Sequence, residues 1–180
     1  ILLSSCQIGY IIENAYYQAK VLKKRVPITD LIEDEDTSDS LKQKLKIIQK
    51  AKAFAESKLG LKPTKNYETF VQLDEPYVTY VVSASEKFHL KPYEWNFPIV
   101  GTVPYKGYFN KSSAVEEEIK LKKQNLDTHL RGVSAFSSLG WFEDPVLSSM
   151  IDGPDHQLVN TIIHETVHAT LYISDNASFN

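Results

Sequence analysis

Five residues close to the end of the chain, His164-Glu165-Thr166-Val167-His168, bring together the side chains best suited to chemistry in this sequence. Residues four apart stack on one face of a helix, so His164 and His168 could each offer a ring nitrogen to one zinc ion at about 2.0 Å. Glu165 follows the first of them and would stand beside the metal's open coordination position. There it could take a proton from a water whose pKa zinc has lowered toward ~7. Such a set is what peptide-bond hydrolysis by a metal-activated water needs. Zinc polarises the carbonyl, and a glutamate general base later returns the proton to the leaving amine. No serine or cysteine nucleophile is required.

The bland alternative packs both histidines as satisfied interior side chains and leaves Glu165 on a wet face. The pattern acquires meaning only on a helix, and its flanks predict one. Asp152-Gly153-Pro154-Asp155 supplies turn and cap residues, no proline follows in residues 155–180, and Leu158, Ile162, Val167 and Leu171 form an apolar stripe. Catalytic zinc takes three protein ligands, and the motif supplies two. Asp175, seven residues after His168, is a candidate for the third. His89, His129 and His156 read as surface or outer positions, at a strand end, after a surface helix and in a first helical turn.

Several elements must position this set. Ile11, Ile12, Ala15, Tyr16, Ala19 and Leu22 recur at helical spacing and predict a helix over residues 10–26, stopped by Pro27. Cap side chains at Thr37-Ser38-Asp39-Ser40 precede a second helix carrying Leu41, Leu45, Ile48, Ala51, Phe54 and Leu59, which Gly60 and Pro63 close. Residues 67–109 turn to β-branched and aromatic runs, read as antiparallel strands with a turn region at 91–96. A charged surface helix is expected over residues 112–125, with Ser113 and Glu116 spaced as a capping box. Residues 133–142 read as a strand or loop leading to the site.

At 180 residues and 42% apolar, the chain is long enough to bury a core, and one globular unit is expected. Twenty basic and 23 acidic residues are interspersed, for a net charge of -3, which argues against nucleic acid as a partner. The single cysteine, Cys6, cannot form an internal disulfide. Leu3-Ser4-Ser5-Cys6 resembles the bacterial lipobox, in which the Cys thiol is lipidated. Residues 1–5 then read as the remnant of a signal peptide, and a lipidated Cys6 would anchor the domain to a membrane without spanning it. A small buried thiol near a frayed terminus is the plainer alternative. No later run of ~18 apolar residues could span a bilayer.

Beyond the His-Glu-x-x-His (HExxH) motif, the whole chain resembles the bacterial putative aminopeptidase family, zinc metallopeptidases by prediction that begin with a lipoprotein signal. The resemblance is carried by Leu3-Ser4-Ser5-Cys6, Tyr77-Val78, Trp95-Asn96-Phe97-Pro98 with Gly101, Tyr105-Lys106-Gly107-Tyr108-Phe109, and the run Leu139-Gly140-Trp141-Phe142-Glu143-Asp144-Pro145-Val146-Leu147-Ser148. It implies His164 and His168 as metal ligands, Glu165 as catalytic base, and a glutamate shortly after Asn180 as the third ligand. It also implies residues 6–180 as the N-terminal part of a single metallopeptidase domain in the bacterial cell envelope, facing periplasm or exterior.

The expected fold is α+β and zincin-like, with N-terminal helices, a small antiparallel sheet and the His164-to-His168 helix across it. An edge strand over residues 100–109 would hold an extended peptide by backbone hydrogen bonds. Tyr105 or Tyr108 on it could donate to the oxyanion, against ordinary strand packing as the alternative. Trp141 and Phe142 could border a substrate pocket or serve as core anchors. The competing function is a non-catalytic lipoprotein binding module on the same scaffold, which would have no use for Glu165.

Overall fold

Two stretches of alternating or helically spaced apolar residues, 79–86 and 155–166, organise the molecule, one in each of two compact units. The structure is a computed structural model and describes residues 5–89, 91–97, 101–135, 138, 142–171 and 173. In chain order these form α1 (Ser5–Leu22), β1 (Val26–Pro27), α2 (Ile28–Glu33), α3 (Asp39–Lys58), β2 (Thr69–Val71), β3 (Thr79–Glu86), β4 (Trp95–Phe97) and β5 (Gly101–Val103). There follow β6 (Lys106–Tyr108), α4 (Lys111–Lys123), β7 (Leu126–Val133), β8 (Val146–Leu147), α5 (Ser148–Ile151) and α6 (Asp155–Thr170). The class is mixed α+β with several small sheets.

The first unit is built on Tyr77–Val133 with the N-terminal helix up to Lys20. Its sheet has the order β6-β3-β7, antiparallel throughout, with β3 and β7 paired from Thr79↔Val133 to Glu86↔Leu126. Tyr80, Val82 and Ala84 of β3 bury one face against Trp95, Tyr108, Ala114 and Leu121. The Tyr10 hydroxyl donates to the Gly107 carbonyl at 2.7 Å, and Ser113 donates to Glu13 at 2.6 Å, so α1 is tied to β6 and α4. β7 was not anticipated, although Leu126, Thr128 and Leu130 alternate with exposed Asp127, His129 and Arg131. The charged helix before it had masked that alternation. The expected strand over 100–109 is divided at Pro104, which has no N–H for a ladder, into β5 and β6. Val100 lies outside the described residues.

The second unit combines Val21–Pro76 and Ser134–Tyr172. Its sheet has the order β1-β2-β8, with β1 antiparallel to β2 but β2 parallel to β8, through Phe70↔Val146 and Val71↔Leu147. The antiparallel strands expected within residues 67–109 are found in β6-β3-β7 and β4-β5, and the parallel β2–β8 pair is an addition the sequence reading did not contain. It joins Phe70 to Val146, far apart in the chain and beyond the reach of local pattern. α1 ends at Leu22, so Pro27 does not stop it as expected: Pro27 stands in edge strand β1 opposite Thr69, where a missing N–H is tolerated. α2 was also unexpected, hidden in the acidic stretch. α3 starts where expected, with the Ser38 hydroxyl accepting the Leu41 N–H at 3.3 Å. Leu45, Ile48, Ala51 and Ala55 of α3 are buried, and α3 packs on α6, whereas Phe54 and Leu59 are exposed.

Candidate active site

α6 begins just after Pro154 and carries Asp155 in its first turn, where a negative charge faces the positive end of the helix dipole. Lys44 of α3 holds that start, bonding the Gly153 carbonyl at 2.7 Å and the Asp155 carboxylate at 2.8 Å. Leu158, Ile162 and Thr166 make the buried stripe, each one turn from the next. Val167 and Leu171, assigned to that stripe from the sequence, are exposed instead. Thr166 can take the interior position because its hydroxyl donates to the Ile162 carbonyl at 2.7 Å, leaving no unmet donor.

With that stripe facing inward, His164 is exposed and His168 half-buried on another face of the helix. Their Nε2 atoms approach to 3.0 Å, with ring planes at 87°. Two nitrogens bound to one tetrahedral zinc at 2.0–2.1 Å would stand about 3.3 Å apart. The pair thus fits two adjacent zinc ligands to within a few tenths of an ångström. Among the described residues no His, Cys, Asp or Glu completes a set of three with them. Asp175 lies outside the described residues. The His168 imidazole is held below its usual pKa by burial and by His164, which favours the neutral, ligating form.

Glu165 is three residues from Ile162, so it flanks the buried stripe and is itself half-buried. Burial, and second the nearby Asp144 carboxylate, push its carboxyl up to about 7. Around it lies a polar cluster that no local motif announced. Asp144 is 1% exposed, Tyr67 2% and Asn66 3%. The Tyr67 N–H donates to the Asp144 carbonyl at 2.7 Å, and the Asp144 N–H donates to Asn66 Oδ1 at 3.0 Å. Asp144 Oδ2 accepts from both the N–H and the hydroxyl of Ser138, at 2.8 and 3.0 Å. Among the described residues Asn66 Nδ2, Tyr67 Oη and Asp144 Oδ1 are buried without a partner, and Tyr67 sits at φ 61, in the left-handed region a tyrosine avoids. Orphaned polar atoms and a strained backbone commonly gather at functional sites. Burial raises the Asp144 carboxyl to about 6 and lifts the Tyr67 phenol far above its usual range, with Glu165 as the next cause for the phenol. Asp144 belonged to a stretch that carried the family resemblance but no role.

The remaining candidates are placed elsewhere. Tyr108 is buried in the core of the first unit, its ring edge-on to Tyr10 at 5.3 Å, and burial with Glu117 raises its phenol well above the usual value. Tyr105 is exposed between β5 and β6. Edge strand β6 and both tyrosines thus belong to one unit, and His164, Glu165 and His168 to the other. His89, His129 and His156 are exposed, His129 on β7. The backbone of Cys6 falls in the first turn of α1, while Leu3 and Ser4 lie outside the described residues. Among the described residues no helix is long and apolar enough to cross a membrane. Phe142 is half exposed, and Trp141 lies outside the described residues.

No curated protein and no solved structure matches the chain. The model of one family, described as putative aminopeptidase, matches residues 9–180, all but the first eight residues. The chain therefore belongs to the putative aminopeptidase family.

Proposed function

We propose that this protein is a zinc-dependent peptidase of zincin-like architecture, in which His164 and His168 hold the metal and Glu165 is the general base. The carrying observation is the approach of two imidazole Nε2 atoms to 3.0 Å on the helix that also bears a carboxyl raised to about 7. Zinc bound there would polarise the scissile carbonyl and acidify water. A third ligand, by the family resemblance a glutamate after Asn180, would complete the set. Glu165 does the proton work. Its carboxylate would accept a proton from the attacking water and give it up again to the departing amine. The buried Asp144 contributes to the raised pKa of Glu165 by disfavouring a second negative charge nearby.

The family name makes peptides the substrate class and is the ground for aminopeptidase action. The lipobox-like Leu3-Ser4-Ser5-Cys6 supports a location in the bacterial envelope through a lipidated Cys6.

The full-length protein, wild type and Glu165→Gln, should be assayed for zinc content and for chelator-sensitive hydrolysis of aminoacyl and internally quenched peptides. Glu165→Gln is expected to keep its zinc and lose 10²- to 10⁴-fold in kcat, roughly the contribution of a general base. The preferred substrate decides between exo- and endopeptidase. A zinc-free, inert wild type would overturn the enzyme reading in favour of a peptide-binding lipoprotein.

A further inference from the structure

A cleft of ≈ 430 Å³ lies within the second unit, and Ala169 of α6 forms part of its wall. Ala169 directly follows His168 and stands one turn beyond Glu165, on the same side of the helix. The volume falls in the range of small-ligand sites and suits one or two residues of a peptide.

The charged part of its lining is mainly cationic. Among the described residues Arg25, Lys62 and Lys65 line it, with Glu143 as the one carboxylate. Glu143 is shared and does not neutralise them: its oxygens are 3.6 Å from Lys65 Nζ and 4.0 Å from Arg25 Nη1. Arg25 is held in place by neutral acceptors, with Nε donating to the Leu22 carbonyl at 2.9 Å and Nη1 to the Glu143 carbonyl at 3.2 Å. A guanidinium has five N–H donors, and a positioned one is suited to a carboxylate. Lys62 is fixed to the end of α6 through its backbone, whose N–H donates to the Thr170 hydroxyl at 3.0 Å. Its side chain forms no ion pair among the described residues.

Asn66, 3% exposed, closes the inner wall of the cleft. Phe142, 51% exposed, gives the cleft an apolar wall for the carbon skeleton of a bound residue.

We propose that this cleft is a substrate subsite for a carboxylate, contacted by Arg25, Lys62 and Lys65, on the leaving-group side of the scissile bond. The side follows from charge, because three cations repel the α-ammonium of a peptide and accept the part of it remote from the N-terminus. The carboxylate can be the C-terminus of a short peptide or an acidic side chain, since both present the same group. This inference rests on the peptidase reading of α6.

The test uses tripeptides of alanine with a free or an amidated C-terminus, and amidated tripeptides with Glu or Gln at the second or third position. Hydrolysis is followed with the full-length zinc-loaded protein, and binding is measured by calorimetry on Glu165→Gln. About tenfold better kcat/KM and tighter binding are expected for the carboxylate member of at least one pair, the scale of one charge-assisted contact. The winning pair identifies the source of the group. The preference should shrink as salt rises, because the lysines are exposed, weaken in the Lys62→Gln/Lys65→Gln double variant, which leaves Arg25, and reverse in Lys62→Glu/Lys65→Glu. These positions are on the surface, and circular dichroism checks that the variants fold. Equal binding of acid and amide, no binding of either, or a preference surviving both double variants would overturn the subsite. Acid-selective binding without hydrolysis in the wild type would keep the subsite and sink the peptidase reading.

Discussion

Glu165 owes its burial, and with it its raised proton affinity, to an offset of three residues from Ile162. One position closer to the buried stripe it would be an unsatisfied interior charge, and on the exposed face it would titrate as an ordinary surface glutamate. Its neighbour Asp144 allows the electrostatics to be tested by themselves. The Asp144 carboxyl is raised from 3.8 to about 6 in the folded state, so the folded protein binds that proton more tightly than the unfolded chain. The linked stability is complete below about pH 4 and is lost as pH rises through about 6. Two pKa units at ~1.4 kcal/mol each put the loss at about 3 kcal/mol. Urea unfolding of the metal-free protein between pH 4 and 7 should show this decline in wild type and a flatter one in Asp144→Asn. Equal slopes would remove Asp144 as the source. Glu165, raised to about 7, adds a loss of the same sign, so the comparison must be between the two proteins.

At the scale of elements, α6 depends on the packing of a narrow stripe. Ile162 is 0% exposed and carries both the contact with the interior and the carbonyl that satisfies Thr166. Ile162→Ala should cost roughly 2–5 kcal/mol by denaturant unfolding, the range for truncating a buried aliphatic side chain. A cost below about 1 kcal/mol would mean that α6 is not anchored there. The helix itself was legible from its spacing, its cap region and the absence of proline, since these are local. The identity of its buried face was misread at Val167 and Leu171, because a threonine bonded to its own helix can be buried as readily as a valine. β7 and α2 escaped for a related reason. Their alternation or periodicity is short and overlaid by charge, so only the partner element reveals which side chains are covered.

At the scale of the whole molecule, zinc would act as a ligand of the native state alone. With free zinc at about 100 times its Kd, stabilisation of ~2.7 kcal/mol is expected. The melting temperature of the full-length protein should rise with zinc and fall with chelator, and His164→Ala should respond to neither. A variant that still responded would place the metal elsewhere. The amino-acid sequence by itself determined the His164 and His168 pair and the adjacent Glu165, because a helical repeat converts a spacing of four into proximity without help from the rest of the chain. Tertiary structure alone decided what surrounds them. Asn66, Tyr67 and Asp144 meet through one backbone bond and one backbone-to-side-chain bond between segments far apart in the chain, and β2 pairs with β8 across a similar separation. Arg25, the Lys62 and Lys65 pair, and Glu143, far apart in the chain, line one cleft. Burial and summed charge depend on all neighbours in space, so the proton affinity of Glu165 could be known only once the chain had folded.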